Sequence, residues 1–143
     1  ELDAKALGLT GKTMLNLDTE EWGELYVGCA GGGESTISLP LEREDSTNDG
    51  SAQVVEIKVE GLLGGHSGLN IHEGRANAVV LCAQAVQAAL QQEGIKLLSL
   101  SGGDKHNAIP REAAAQLLVP SSNIDSLKDI VRTCEESSKA EYG

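Results

Sequence analysis

The glycine-rich segment Gly64–Gly68 holds the residue types best suited to chemistry. His66 and Ser67 stand there among three glycines. Glycine adopts dihedrals and close approaches that a Cβ excludes, so such a corner presents polar side chains to a ligand. The residues alone are equally compatible with a solvated histidine in a flexible turn. Ser67 either binds a substrate or bonds a nearby backbone group through its hydroxyl.

Two further side chains are candidates for binding a substrate. Asn107 lies in Asn-Ala-Ile-Pro, and its amide offers both a donor and an acceptor, which suits a peptide carbonyl or a terminal carboxylate. Pro110 stiffens the loop that carries it. Arg75 either pairs with Glu73 or Asp104, or binds a substrate carboxylate.

The remaining candidates concern metal binding. Asp18 ends the strand-like run Lys12–Asp18, where a carboxylate points past the sheet edge and suits a metal ion; a turn residue is the alternative. His72 is interpreted as a helix-start residue and His106 as exposed. A zinc site built from these two and His66 matches no compact zinc motif.

The elements that position these residues follow from apolar periodicity. From residue 35 onward, alternating and three-to-four spacings predict the order β-β-α-β-β-α. That order is typical of a ferredoxin-like two-layer α+β sandwich, a four-stranded antiparallel sheet with two helices on one face. The expected elements are strands Ser35–Arg43 and Gln53–Glu60, a helix from Ile71 to about Gln92, strands Lys96–Ser101 and Ala113–Val119, and a helix over Ile124–Ala140.

The first part of the chain is predicted to belong to another domain. Lys12–Asp18 and Glu24–Cys29 are expected as strands, and Ala30–Gly33 is expected as a linker. We therefore predict a boundary near Gly32, with residues 1–31 in one domain and residues 32–143 in the next.

Composition excludes partners that carry negative charge. The 143 residues hold 22 acidic and 11 basic side chains, which gives a net charge of −11. We therefore expect no nucleic-acid and no membrane partner, because both would repel the chain. Three cysteines, odd in number and far apart in sequence, argue against a disulfide framework and favour a reducing, cytoplasmic compartment.

Three motifs together resemble a family of two-metal zinc peptidases and deacylases. They are Gly-Gly-His-Ser-Gly at 64–68, Ile-His-Glu-Gly-Arg-Ala-Asn-Ala at 71–78, and Gly-Gly-Asp-Lys-His-Asn-Ala-Ile-Pro-Arg-Glu-Ala at 102–113. The family includes carnosinases, carboxypeptidase G-type enzymes and desuccinylases. The motifs are most similar to its aminoacyl-histidine dipeptidases, also called Xaa-His dipeptidases or peptidase D. Asn-Leu-Asp-Thr-Glu at 16–20 fits the same subgroup.

The resemblance implies roles for individual residues. In the family, the histidine that matches His66 reaches over a metal centre, often that of a partner subunit, and donates a hydrogen bond to the oxyanion of the tetrahedral intermediate. The residue that matches Asn107 binds substrate, and the one that matches Asp18 is a zinc ligand. The lid domains of the family look like the ferredoxin-like sandwich predicted above.

The other metal ligands and the general base of the family have no counterpart in these residues. The resemblance therefore implies a fragment: the last strands of an α/β zinc-peptidase catalytic domain, followed by an incomplete lid or dimerisation domain. The parent is expected to bind two zinc ions, to hydrolyse Xaa-His dipeptides and to work as a homodimer. The fragment, without the remainder of the catalytic domain, is expected to bind no zinc and to be inactive. Two alternatives stay open: a deacylase of N-acyl amino acids or a carboxypeptidase of the same family, and a non-catalytic ferredoxin-like dimerisation module.

Overall fold

The chain forms two compact units, Glu1–Arg43 and Glu44–Gly143. A computed structural model describes residues 3, 5–13, 15, 17, 21–28, 31–43 and 50–143. Regular elements of the second unit are β1 (Ala52–Val59), β2 (Gly65–His66), α1 (Ala78–Ala89), β3 (Lys96–Gly102), β4 (Ala108–Ile109), β5 (Ala113–Pro120) and α2 (Ile124–Tyr142). The predicted domain boundary near Gly32 stays a prediction.

The main sheet has three antiparallel strands in the order β1-β5-β3. In its register, Ile57 lies opposite Ala115 and Val55 lies opposite Leu117. Strand β3 pairs with the other edge of β5, with one irregularity between Leu97 and Ser99. The central strand is therefore β5, and its Leu117 is fully buried.

Both helices contribute to a core on one face of this sheet. Alternate residues along β5 face the same side, so Ala113, Ala115, Leu117 and Val119 form an apolar row. Helix α1 covers that row with Ala78, Cys82, Ala85, Val86 and Ala89, and α2 adds Leu127. The antiparallel sheet and two helices confirm the predicted α+β class. Among the described residues, no helix is long and apolar enough to cross a membrane.

Helix α1 begins later than its sequence pattern predicted. A helix from Ile71 was expected, but residues 71–73 form a single 3-10 turn that Gly74 ends with a left-handed φ of 65°. The α-helix starts behind Asn77, whose side chain accepts hydrogen bonds from the N–H groups of Val79 and Val80. Glycine readily adopts positive φ and asparagine caps helices well, so these two residues move the start.

The expectation of a four-stranded sheet is corrected by the structure. Residues 35–43 form no strand, and Ile37, Leu39 and Leu41 are 91%, 76% and 67% exposed. Alternation favours a strand only where one face is buried, and no described residue covers these side chains. The polar connection Glu44–Ser51 is also longer than the loops that fix a hairpin register.

The two strands predicted for the first unit are likewise not seen. The described residues of Lys12–Asp18 and Glu24–Cys29 form no strand, and Leu17 and Leu25 are 88% and 97% exposed. Asp18 and Cys29 themselves lie outside the described residues.

Candidate functional site

The short strands β2 and β4 bring the two leading candidates side by side. They pair antiparallel, with Gly65 opposite Ile109 and His66 opposite Ala108. The next residues are joined as well, because the N–H of Ser67 donates to the carbonyl of Asn107 at 3.0 Å. The loop of His66 and the loop of Asn107, far apart in sequence, therefore form one surface.

The ring of His66 is fixed by the backbone that follows it. Its Nδ1 atom accepts hydrogen bonds from the N–H groups of Gly68, at 3.0 Å, and Leu69, at 3.1 Å. An imidazole nitrogen that accepts carries no proton, so the neutral ring keeps its proton on Nε2. His66 is exposed. The arrangement therefore presents one N–H donor, of defined tautomer, to whatever lies beyond this surface.

Gly68 makes this ring position available. A Cβ built at Gly68 would lie 3.3 Å from both Cε1 and Nδ1 of His66, closer than ordinary van der Waals contact. The imidazole thus lies directly over the glycine. This close approach accounts for a glycine after Ser67.

A chain of polar contacts continues from His66 through three side chains. The N–H of His66 donates to Oδ1 of Asn70 at 2.9 Å, and Nδ2 of Asn70 donates to Oε1 of Glu73 at 2.7 Å. The other oxygen of Glu73 accepts from Nε of Arg75 at 2.7 Å and lies 2.6 Å from its Nη2. Nη1 of Arg75 donates to the carbonyl of Gly64 at 2.6 Å. We call Asn70, Glu73 and Arg75 the loop brace.

The electrostatics of the brace favour its charged form. The Asn70 amide and the Arg75 guanidinium hold the pKa of the Glu73 carboxyl below its ordinary value of 4.5. Gly65 leaves room for the brace, since a Cβ there would lie 2.6 Å from Nη1 of Arg75 and 3.0 Å from Oδ1 of Asn70. Gly65 also has a φ of 150°, which disfavours other residues.

The structure shows one of the contacts predicted for Arg75, and its binding of substrate stays a prediction. Of the alternatives that the sequence left open, pairing with Glu73 is the one the structure shows. Its guanidinium points into the loop, and the side chain is 21% exposed. Pairing with Asp104 is not among the ion pairs of the described residues.

Metal binding finds no support within the described part of the chain. No three or more His, Cys, Asp or Glu side chains converge there into a group that could hold a metal ion. His106 is exposed, as the sequence interpretation had it. His72, interpreted as a helix-start residue, is also exposed but lies in the 3-10 turn before α1. The predicted ligand Asp18 lies outside the described residues, so its role stays a prediction.

The candidate residues lie on an open surface. Two cavities of about 490 and 340 Å³ border the loop 103–112, and His66 and Asn107 line neither of them. Both residues are exposed. A ligand at these two residues would therefore be enclosed only if a second surface lay against them.

Sequence reasoning missed Asn70 and weighed Glu73 only as a partner of Arg75. An Asn and a Glu three positions apart in an exposed turn carry no signal of their own, because polar residues are ordinary there. The glycine at position 74 was a usable signal, because a glycine permits a chain reversal. The structure shows a left-handed Gly74 there, which brings the side chains of Glu73 and Arg75 together.

Comparison with known proteins gives a consistent result. Residues 57–143 match the peptidase dimerisation domain. The chain is 38% identical over 141 residues to the cytosol non-specific dipeptidase of Escherichia coli. This alignment covers 95% of this chain and 29% of that protein. The chain therefore spans less than a third of the length of this relative.

Solved structures show the same fold. The aminoacylhistidine dipeptidase from Vibrio alginolyticus superposes with a TM-score of 0.63 at 34% identity, over 68% of this chain and 20% of that one. An aminobenzoyl-glutamate utilization protein from Klebsiella pneumoniae superposes with a TM-score of 0.50 at 15% identity, over 66% and 26%. Since the family match covers residues 57–143, well over half of the chain, this chain belongs to the peptidase dimerisation domain family.

Proposed function

We propose that this chain is the lid portion of a dipeptidase and that His66 donates a hydrogen bond to the oxyanion formed when a peptide bond is attacked. The observation that carries the proposal is the pair of backbone donors on Nδ1, which leaves the proton of the ring on Nε2. An oxyanion needs a donor that is already oriented before charge develops. Two relatives that carry dipeptidase names support the choice of reaction.

The open surface fits a lid better than a complete active site. His66 and Asn107 lie on adjacent loops, and neither lines the cavities beside them. A catalytic domain that closes against this surface would exclude water and strengthen the hydrogen bond from His66. Asn107, with an amide that both donates and accepts, would hold the substrate backbone or its terminal carboxylate. Ser67 lies next to Asn107 in this surface and is a further candidate for binding substrate.

Zinc is assigned to the parent enzyme and not to the described residues. The described side chains do not form a metal site, so the zinc ligands are proposed to lie outside the described residues, with Asp18 among them. Bound zinc would supply an activated water in such an enzyme. The part played by His66 depends only on its own N–H group.

The substrates proposed are dipeptides, with Xaa-His dipeptides among them. One relative is named a non-specific dipeptidase and another an aminoacylhistidine dipeptidase. We propose a cytosolic location because the first of these relatives is named a cytosol dipeptidase. Association into a homodimer is proposed on the family description. Leu97 and Leu100, on edge strand β3 and 44% and 37% exposed, offer it an apolar surface.

The test is steady-state hydrolysis by the complete enzyme that contains this chain. Xaa-His dipeptides, dipeptides with other C-terminal residues, and N-acyl amino acids are compared as substrates. We expect dipeptide hydrolysis, and a fall in kcat of about a hundredfold or more in His66→Ala at equal metal content. His106→Ala, which removes another exposed histidine, is the matched control and should retain kcat.

Two results would refute the proposal. Faster turnover of N-acyl amino acids than of any dipeptide would identify the enzyme as a deacylase. Full activity of His66→Ala on dipeptides would remove the histidine from the mechanism while leaving the dipeptidase assignment in place.

A further inference from the structure

We propose that the loop brace of Asn70, Glu73 and Arg75 sets the position and tautomer of His66, and that Arg75 is a positioning residue and not a ligand of the substrate. The inference rests on the proposed function for its kinetic consequences. Its structural content, the tautomer of His66, is independent of any activity.

The brace ties together both ends of the loop that carries His66. At one end, Nη1 of Arg75 bonds the carbonyl of Gly64, two residues before the histidine. At the other end, Oδ1 of Asn70 bonds the N–H of His66 itself. Glu73 joins the two, accepting from Asn70 on one carboxylate oxygen and from Arg75 on the other. The loop is therefore closed by side chains, and not only by the two residue pairs of β2 and β4.

Closure of the loop decides where the acceptor atom of His66 lies. The N–H groups that bond Nδ1 belong to Gly68 and Leu69, and the turn continues because the N–H of Asn70 donates to the carbonyl of His66 at 2.9 Å. Asn70 thus bonds the histidine backbone twice, once through its side chain and once through its own N–H group. Without the side-chain contact, the turn keeps only one of the two bonds that hold its start against its end, so we expect the donors to Nδ1 to lose their alignment.

Three of the five N–H groups of the Arg75 guanidinium are engaged inside the loop in the contacts that the described residues show. Nε and Nη2 contact the carboxylate of Glu73, and Nη1 contacts the carbonyl of Gly64. A substrate carboxylate could use only the two remaining N–H groups unless the guanidinium left Glu73 and Gly64. The carbonyl of Gly64, a residue whose backbone is buried, would then be without its charged donor.

The two roles of Arg75 predict different kinetics. A positioning residue affects the transition state through His66, so Arg75→Ala should lower kcat about tenfold to a hundredfold with little change in KM. A ligand of the substrate carboxylate would instead raise KM and leave kcat nearly unchanged. Asn70→Ala should show the same fall in kcat as Arg75→Ala. The double variant should be no worse than either single variant, because both interrupt the same chain.

A swap of hydrogen-bond directions provides a rescue. Asn70→Asp alone removes the amide that donates to Glu73 and puts two carboxylates against each other, so it should be impaired. Combining it with Glu73→Gln restores the contact in reverse. The amide now at position 73 donates to the carboxylate now at position 70, and that carboxylate still accepts from the N–H of His66. The new amide oxygen still accepts from Arg75. We expect the double variant to recover most of the kcat that Asn70→Asp loses.

The tautomer is tested directly on the 143-residue chain labelled with ¹⁵N. At about pH 8, where an ordinary imidazole is neutral, long-range ¹H–¹⁵N correlations distinguish a protonated Nε2 from a protonated Nδ1. The chain should show His66 in the Nε2–H form, and Arg75→Ala and Asn70→Ala should show a mixture of tautomers. Arg132→Ala, which breaks the exposed pair with Asp129 in α2, is the matched control and should leave His66 unchanged.

The outcomes separate this inference from the proposed function. A mixture of tautomers in the unsubstituted chain, or a pure Nε2–H form in both brace variants, overturns the inference whatever the enzyme hydrolyses. A KM effect confined to Arg75→Ala, with Asn70→Ala unaffected, assigns Arg75 to the substrate and also overturns it. An enzyme that is inactive on dipeptides but shows the tautomer shift refutes the proposed function and leaves the brace intact.

Discussion

Replacing Gly68 by alanine should separate the orientation of His66 from the stability of the fold. The Cβ of the alanine would lie 3.3 Å from Nδ1 and Cε1 of the imidazole, whereas ordinary contacts lie at 3.4–4 Å. The ring must therefore move by a few tenths of an ångström. Since a displacement of about 1 Å in an active site lowers rates about a hundredfold, we expect kcat to fall about threefold to tenfold.

Stability should change little in Gly68→Ala. The residue is not among the glycines with positive φ, and alanine there reduces the conformational freedom of the unfolded chain by about 0.4–1 kcal/mol. Weakening of the two hydrogen bonds to Nδ1, each worth about 1 kcal/mol, acts in the opposite direction. The net change in the free energy of unfolding should therefore stay within about 1 kcal/mol.

The matched control is Gly61→Ala, which should lower stability and leave kcat unchanged. Gly61 has a φ of 78° and no atom within 4 Å of a built Cβ, so Gly61→Ala should cost about 1–2 kcal/mol of stability through backbone strain alone. It should leave kcat unchanged. Urea unfolding and dipeptide hydrolysis by the complete enzyme measure the two quantities. Two results would refute the close approach to His66 as the reason for a glycine at position 68. One is an unchanged kcat in Gly68→Ala, and the other is an equal loss of kcat in Gly61→Ala.

Three further predictions concern the core, a thiol and pH. Leu117→Ala should reduce the free energy of unfolding in urea by about 3 kcal/mol, because Leu117 is fully buried on the central strand; the 44% exposed Leu97 is the control and should lose much less when truncated. Burial raises the pKa of the Cys82 thiol, so Cys82 should react with iodoacetamide more slowly than the half-buried Cys134 in the native state, and peptide mass spectrometry should show that urea removes the difference. The lowered pKa of Glu73 means that its carboxylate stabilises the loop above about pH 4.5, and this contribution is lost as the pH falls through the folded-state pKa. The amide of Gly68 should therefore lose protection against hydrogen exchange on acidification, after correction for intrinsic rates. Glu73→Gln should remove that pH dependence.

The elements with a buried face were predictable from the sequence, and the others were not. Expected strands over Gln53–Glu60, Lys96–Ser101 and Ala113–Val119 correspond to β1, β3 and β5, and the last helix begins at Ile124 as predicted. Each of these has neighbours that cover its apolar side. Ser35–Arg43 has the same alternation, but its apolar side chains are exposed among the described residues. A pattern of residue types cannot reveal that difference.

The site was predictable residue by residue but not as an arrangement. His66 and Asn107 were selected from their chemistry and motifs, and the structure places their loops against each other. The start of α1 was misplaced because Ile71 continues an apolar spacing that Gly74 interrupts. That same interruption frees Arg75 from the helix and lets it reach Gly64. The contact depends on one glycine conformation, so periodicity could not predict it.

The bond between Arg111 and Leu62 has a consequence for the order in which the chain is expected to fold. Nε of Arg111 donates to the carbonyl of Leu62, 49 positions away, and β2 and β4 meet in the same region. Closing a loop of that length has an entropic cost that only the intervening helix and strand can reduce. We therefore expect the pairing of the His66 and Asn107 loops to be a late folding step. In that case His66, the proposed donor, reaches its position only after α1 and β3 have formed.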